Sequence, residues 1–218
     1  GSVPKEAHAV FANTVGYVQH IDMQSLSDTA ETENASIWVN SVTGVYVHQK
    51  TILAFSEYQL DENTEQRIRS AFSCGRERSF DQDPRFGVTV LSEIASRALS
   101  PAVNDPGTAI DVVGRLVRVL SVWRAETVDK PQFERIFVPP IRAEHMLHDA
   151  FCGISRDAAR ISDVHSCIQN ALLSLSKVSP ETFELAATEQ AKRALLHAEN
   201  ANLLDADMSD IKRLSLAR

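Results

Sequence analysis

An α+β chain is predicted: a small, mostly antiparallel, barrel-like β-domain over residues 1–57, then a larger, predominantly helical domain over residues 58–218. Two observations predict it. Up to Phe55 the apolar residues are largely β-branched or aromatic and fall in short runs with turn residues between them. From Asp61 onward, capping residues introduce long segments whose apolar positions recur every three or four residues. A third observation makes a packed core feasible: 44% of the 218 residues are hydrophobic, which is inconsistent with wholesale disorder.

Taken in order, Thr14–Ile21 (TVGYVQHI), Ser36–Val42 (SIWVNSV) and Val45–Phe55 (VYVHQKTILAF) read as strands, with Gly44 placed as a hairpin turn between the last two. Between the first and second, Asp22 can cap a short helix that puts Leu26 and Ala30 on one face. Asp61 caps the next helix, which carries acidic residues in its first turn and Ile68 and Phe72 along one side. Asp83 and Pro84 open a third helix with Phe86, Val90, Leu91, Ile94, Ala95 and Leu99 as its apolar stripe. A fourth runs from Pro106 to Glu126, with apolar positions over a wide arc. Phe133–Ile141 reads as one late strand, ended by Pro139 and Pro140. After it come only helices. Ile154, Ala158, Ile161, His165, Ile168, Leu172 and Leu175 step by four and three in a heptad-like seam. The following helix is rich in alanine, from Ala186 to Ala198, and a short last helix lies near Asp207–Leu216.

The 22 basic and 29 acidic residues give a net charge of −7, the wrong sign for a general nucleic-acid binder, whose footprint is basic. Cys74, Cys152 and Cys167 are odd in number and widely spaced, so they signal neither a disulfide framework nor a zinc knuckle, and they fit a reducing compartment. No apolar run approaches the roughly 18 residues that span a bilayer. The start at Gly1-Ser2, with no Met, reads as the scar of a cleaved tag on a piece of a longer protein.

The densest polar constellation is Arg97–Asp111 (RALSPAVNDPGTAID). Asp105-Pro106 is an N-cap followed by proline at the first helical position, and Ser100-Pro101 ends the preceding helix. A turn between helices explains these four residues without a ligand. Arg97, Ser100, Asn104, Asp105 and Thr108 together form the candidate ligand site, because a helix N-terminus with Asn, Thr and a nearby Arg can hold an anion or polar headgroup. His145 and His148 stand one helical turn apart as a candidate metal pair, although no third ligand is supplied locally. His165 lies in the seam, either as a packed imidazole with one satisfied hydrogen bond or as a pH-sensitive element between helices. The Cys74–Arg85 run reads as a solvated loop, with anionic lipid or another subunit as the alternative partner. There is no dinucleotide loop, P-loop, nucleophile elbow or HExxH motif, so no cofactor is expected and a non-enzymatic role is favoured, with an enzyme or small-ligand receptor built around Arg97, Ser100, Asn104, Asp105 and Thr108 as the alternative.

The stretches GYVQHID, TGVYVHQKTILAF and RSFDQDPRFGVTVLSEIASRALSPAVNDPGTAID resemble the DUF2254 family of predicted bacterial membrane proteins. Gly16, Tyr17, Gln19, Ile21 and Asp22 fit its first element. Phe86, Gly87, Ile94, Ala95, Arg97, Ala98, Leu99, Ser100, Pro101, Asn104, Asp105, Pro106, Thr108 and Ala109 fit its longest. The resemblance implies several transmembrane helices upstream of this region, and so an inner-membrane location; the three thiols point to the cytoplasmic face. The family's name denotes an unassigned function, so no reaction is implied. The first two stretches also resemble the barrel-sandwich modules of lipoyl-type domains, without their modified-lysine motif. The seam through His165 and the alanine-rich helix predict a homo-oligomer that assembles, senses or gates.

Overall fold

Residues 2–123 and 132–216 are described by the structure, a computed structural model. Arg124–Glu126, placed at the end of the fourth predicted helix, and Gly1 of the predicted scar lie outside the described residues. The chain divides into two compact units, Gly1–Phe86 with Thr127–Pro140, and Gly87–Glu126 with Ile141–Arg218. The first unit runs past residue 57, where the composition changes, and takes back a later segment.

The first unit holds β1 (His8–Phe11), β2 (Gly16–Ile21), α1 (Met23–Thr32), β3 (Ile37–Val39), β4 (Tyr46–Val47), β5 (Ile52–Ser56), α2 (Glu62–Ser70), β6 (Phe72–Gly75) and β7 (Ile136–Phe137). Asp22 and Asp61 cap their helices as predicted, accepting from Ser25 N at 2.9 Å and Thr64 N at 2.7 Å. The predicted barrel is replaced by two open sheets, ordered β1-β5-β3-β7 and β4-β2-β6, and no closed barrel is found among the described residues. Every pairing is antiparallel except β3 with β7. Trp38 stacks on Phe137 at 5.3 Å across that parallel pair. The core gathers Val10, Val18, Leu26, Ala30, Ile37, Leu53, Ala54 and Ile68.

Three expectations are corrected here. Val45–Phe55 is not one strand: a turn over 48–51 breaks it, and β4 and β5 belong to different sheets. Gly44 therefore does not join a hairpin, since β3 and β4 do not pair. Phe72 lies not on α2 but in β6, because the helix ends at Ser70 and the chain turns back to pair with β2. β1 was outside every predicted strand.

Gly44 nonetheless has a steric role. Its φ of +85° is one that residues with a side chain rarely adopt, and an added Cβ would sit 2.2 Å from Asp83 Oδ2. Gly44→Ala is expected to destabilise the first unit by about 2 kcal/mol, read as a lower urea midpoint with an unchanged slope.

The second unit is helical: most of α3 (Pro84–Ala98), then α4 (Pro106–Val122), α5 (Ala143–Asp157), α6 (Ser162–Val178), α7 (Pro180–Glu199) and α8 (Asp205–Leu214). α7 packs against α5 and α6, while α4 and α8 lie on α6. The largest fully buried side chains here include Leu116, Leu120, Leu147, Phe151, Ile154, Ile168, Leu172 and Phe183. Asp83 caps α3 as predicted, accepting from Phe86 N at 3.1 Å. The α3 stripe is rotated from expectation: Val88, Ser92, Ala95 and Ala98 are buried, while Ile94 is exposed. The seam is interrupted as well. Residues 158–161 break the helix, so Ile154 lies on α5, and His165 and its successors lie on α6. Ile168, Leu172 and Leu175, with Ala186, Ala187, Ala191, Ala194 and Ala198, are buried within the chain itself, so neither feature is left as a contact surface.

Candidate functional site

The corner between α3 and α4 is built by backbone bonds. Asn104 N and Val103 N donate to Ser100 O at 2.8 and 3.0 Å, and Asp105 N donates to Ala98 O at 2.8 Å. Ser100 Oγ turns back onto Arg97 O at 2.7 Å. Asn104 has a φ of +49°, the left-handed conformation that Asn tolerates better than other side-chain-bearing residues. Asp105 caps α4: it accepts from Thr108 N at 3.0 Å and from the Thr108 hydroxyl. Those two donors, the hydroxyl foremost, hold the Asp105 carboxyl below the usual carboxylate range.

The sequence thus does bring Ser100, Asn104, Asp105 and Thr108 together, and local geometry accounts for most of their polar atoms. Ser100, Asp105 and Thr108 are bonded within the turn. The side chains of Arg97 and Asn104 are exposed and have no partner among the described residues. They are the donors this corner can offer to an anion, beside an ionised Asp105 that opposes one.

The other predicted positions are dispersed. His145 and His148 are exposed on the first turns of α5. Among the described residues, no group of three or more His, Cys, Asp and Glu could hold a metal ion. His165 is fully buried, and neither ring nitrogen has a hydrogen-bond partner among the described residues; the single satisfied bond expected for a packed imidazole is missing. Burial first, and then the charge of His197, push its pKa down to about 4, while the Ser155 backbone pulls weakly the other way. Nearby, Gln169 Nε2 donates to Ala191 O at 3.2 Å, but Gln169 Oε1 and Gln190 Nε2 are also unpartnered.

Two features escaped the sequence. One is a polar hollow of about 370 Å³ between α1 and α2, lined by Ser25, Asp28, Thr29, Thr32, Asn63, Gln66, Arg67 and Ser70. Its signal was present as matching polar stripes, spaced three and four residues apart, on the two short helices. Arg67 there is already engaged by Glu33 at 2.7 Å. The other is the knot at the start of α3. Arg78 bonds the buried Asp83 at 2.7 Å and lies over the Phe86 ring at 4.9 Å, and Phe86 stacks on Phe80 at 4.5 Å. The Cys74–Arg85 run, read as a solvated loop, is tied down by these contacts.

The family model described as "Predicted membrane protein (DUF2254)" matches residues 1–174. The uncharacterized protein Mb1321c of Mycobacterium bovis and the uncharacterized protein Rv1290c of Mycobacterium tuberculosis are each 34% identical over 127 residues. The match covers 56% of this chain and 24% of each relative, so the chain spans about a quarter of their length. No solved structure matches the chain significantly.

Proposed function

This chain belongs to the DUF2254 family, and from that premise we propose that it is the water-exposed part of a longer bacterial inner-membrane protein, a non-enzymatic module that assembles with itself and senses or gates. The observation that carries the reading is a mismatch. The family is described as membrane proteins, yet no described helix is long and apolar enough to cross a bilayer, and the relatives are about four times longer than the matched stretch. Membrane attachment is then supplied by other parts of the full protein. The free thiols Cys74, Cys152 and Cys167 support a cytoplasmic face.

Fractionation of cells carrying the full-length protein tests this. It should stay with the membrane pellet through an alkaline carbonate wash, and protease should reach this region in inside-out vesicles but not in right-side-out ones. Release of the full-length protein by the wash overturns the reading.

A second reading, a small-anion or polar-headgroup site at the corner, draws on the free side chains of Arg97 and Asn104. Titration with inorganic phosphate, followed by amide chemical shifts, should move Asn104 and Thr108 in the parent and not in Arg97→Ala. No movement in the parent removes this reading.

A further inference from the structure

We propose that the outward face of α4 packs antiparallel against the same face of a second copy of this chain, about a two-fold axis between residues 114 and 115. The inference rests on the self-association proposed above and supplies its surface.

α4 has a clear inner side, with Ala109, Val112, Val113, Leu116 and Leu120 buried. Its outer side carries Gly107, Asp111, Gly114, Arg118 and Val122, all exposed. Steps of four, three, four and four residues place them along one line. Val122 is 77% exposed, a branched apolar side chain left mostly open to solvent among the described residues. Gly114 sits in mid-helix, where glycine costs about 1 kcal/mol relative to alanine, yet an added Cβ would meet nothing within 4 Å. Nothing among the described residues requires a glycine there; a helix laid across it would.

The charges on this line choose the occupant and its direction. Asp111 and Arg118 are two turns apart on the same face. A parallel pairing of two copies sets Asp111 against Asp111 and Arg118 against Arg118. The antiparallel pairing sets each Asp111 against the second copy's Arg118, twice over by symmetry, and brings Val122 over the second copy's Gly107. The Arg118 guanidinium has no partner among the described residues. Asp111 already holds Arg115 Nε through Oδ2 at 2.7 Å within the helix, so its other carboxylate oxygen is the one that meets the second copy's Arg118. A single 17-residue helix presents a small interface, so the association is concentration-dependent.

Sedimentation equilibrium of the 218-residue chain tests it, with four variants: Asp111→Arg, Arg118→Asp, the two together, and Gly114→Leu. The parent should dimerise. Each single charge reversal should weaken dimerisation about tenfold. The double reversal should restore it, because the two exchanged charges again meet as opposites across the axis. Gly114→Leu should abolish the dimer while leaving Tm unchanged or raised, which separates a blocked contact from a damaged fold. A parent that stays monomeric up to about 1 mM, a concentration that captures even weak pairs, overturns both this face and the self-association. A dimer indifferent to all four variants, or single reversals not repaired by the double, overturns the α4 face and leaves self-association standing.

Discussion

Lowering the pH from 7 to 4 will weaken the helical unit by about 3 kcal/mol through His165 alone. The side chain is fully buried, and its pKa is pushed from 6.5 to about 4. Between those values the unfolded chain takes up a proton that the folded chain refuses. Stability from this group is therefore fully present above pH 6.5, falls as the pH drops through the window, and levels off below about 4. The cause is physical and local. Burial outweighs the weak pull of the Ser155 backbone toward the protonated ring, and His197 adds like charge. Urea titrations at stepped pH, read by helical circular dichroism, measure the slope. His165→Leu should flatten it between pH 6.5 and 4. An unchanged slope in that variant would show that other groups, such as the carboxylates near the helix ends, dominate the acid response.

Replacing Asp83 with alanine will destabilise the first unit by about 3 kcal/mol, the low end of what breaking a buried ion pair costs. Asp83 is only 3% exposed, and it binds Arg78 through both Nε, at 2.8 Å, and Nη2, at 2.7 Å. It also accepts the Phe86 N–H that begins α3. Alanine removes the cap and strands a guanidinium whose side chain is 23% exposed, so water recovers part of the loss and holds the effect below the deepest buried pairs. Asp83→Asn keeps an acceptor for the cap but sets an amide NH2 where Oδ2 accepts from Arg78, so it should lose less than alanine only by the value of the cap, about 1 kcal/mol. A midpoint for Asp83→Ala equal to the parent's would mean that this carboxylate is not structural.

What the sequence could show depended on how far apart the interacting residues lie. Asp22, Asp61, Asp83 and Asp105 cap N–H groups three residues ahead of them, so local chemistry was enough to place four helix starts. The assignment of β4 and β5 to separate sheets depends on partners far along the chain, which no local pattern encodes. The same holds for Gly44 and Asp83, which meet in space although one lies before α2 and the other after β6. The rotated face of α3 has a packing cause. A Cβ on Gly153 of α5 would lie 3.4 Å from Ser96 Oγ and 3.6 Å from Ser92 Oγ, so this contact is made by small polar residues at close range rather than by the bulky apolar ones that periodicity favours. At the corner, the turn chemistry of Asp105-Pro106 was readable. That the Ser100 and Thr108 hydroxyls would be bonded inside the turn, leaving Arg97 and Asn104 free, was not, because a spacing rule does not say which way a hydroxyl turns.

β7 carries a consequence for synthesis. The strand belongs to the β3 sheet of the first unit, but it is encoded after α3 and α4, which lie almost wholly in the second. A ribosome that has made the chain as far as Phe86 has released a sheet with one edge still bare, and it remains so until Ile136 and Phe137 emerge. The polypeptide then crosses between the halves more than once, so a single protease nick between them does not set either one loose. A truncation after Phe86 exposes Ile37 and Trp38 backbone to strand addition by whatever neighbour arrives first.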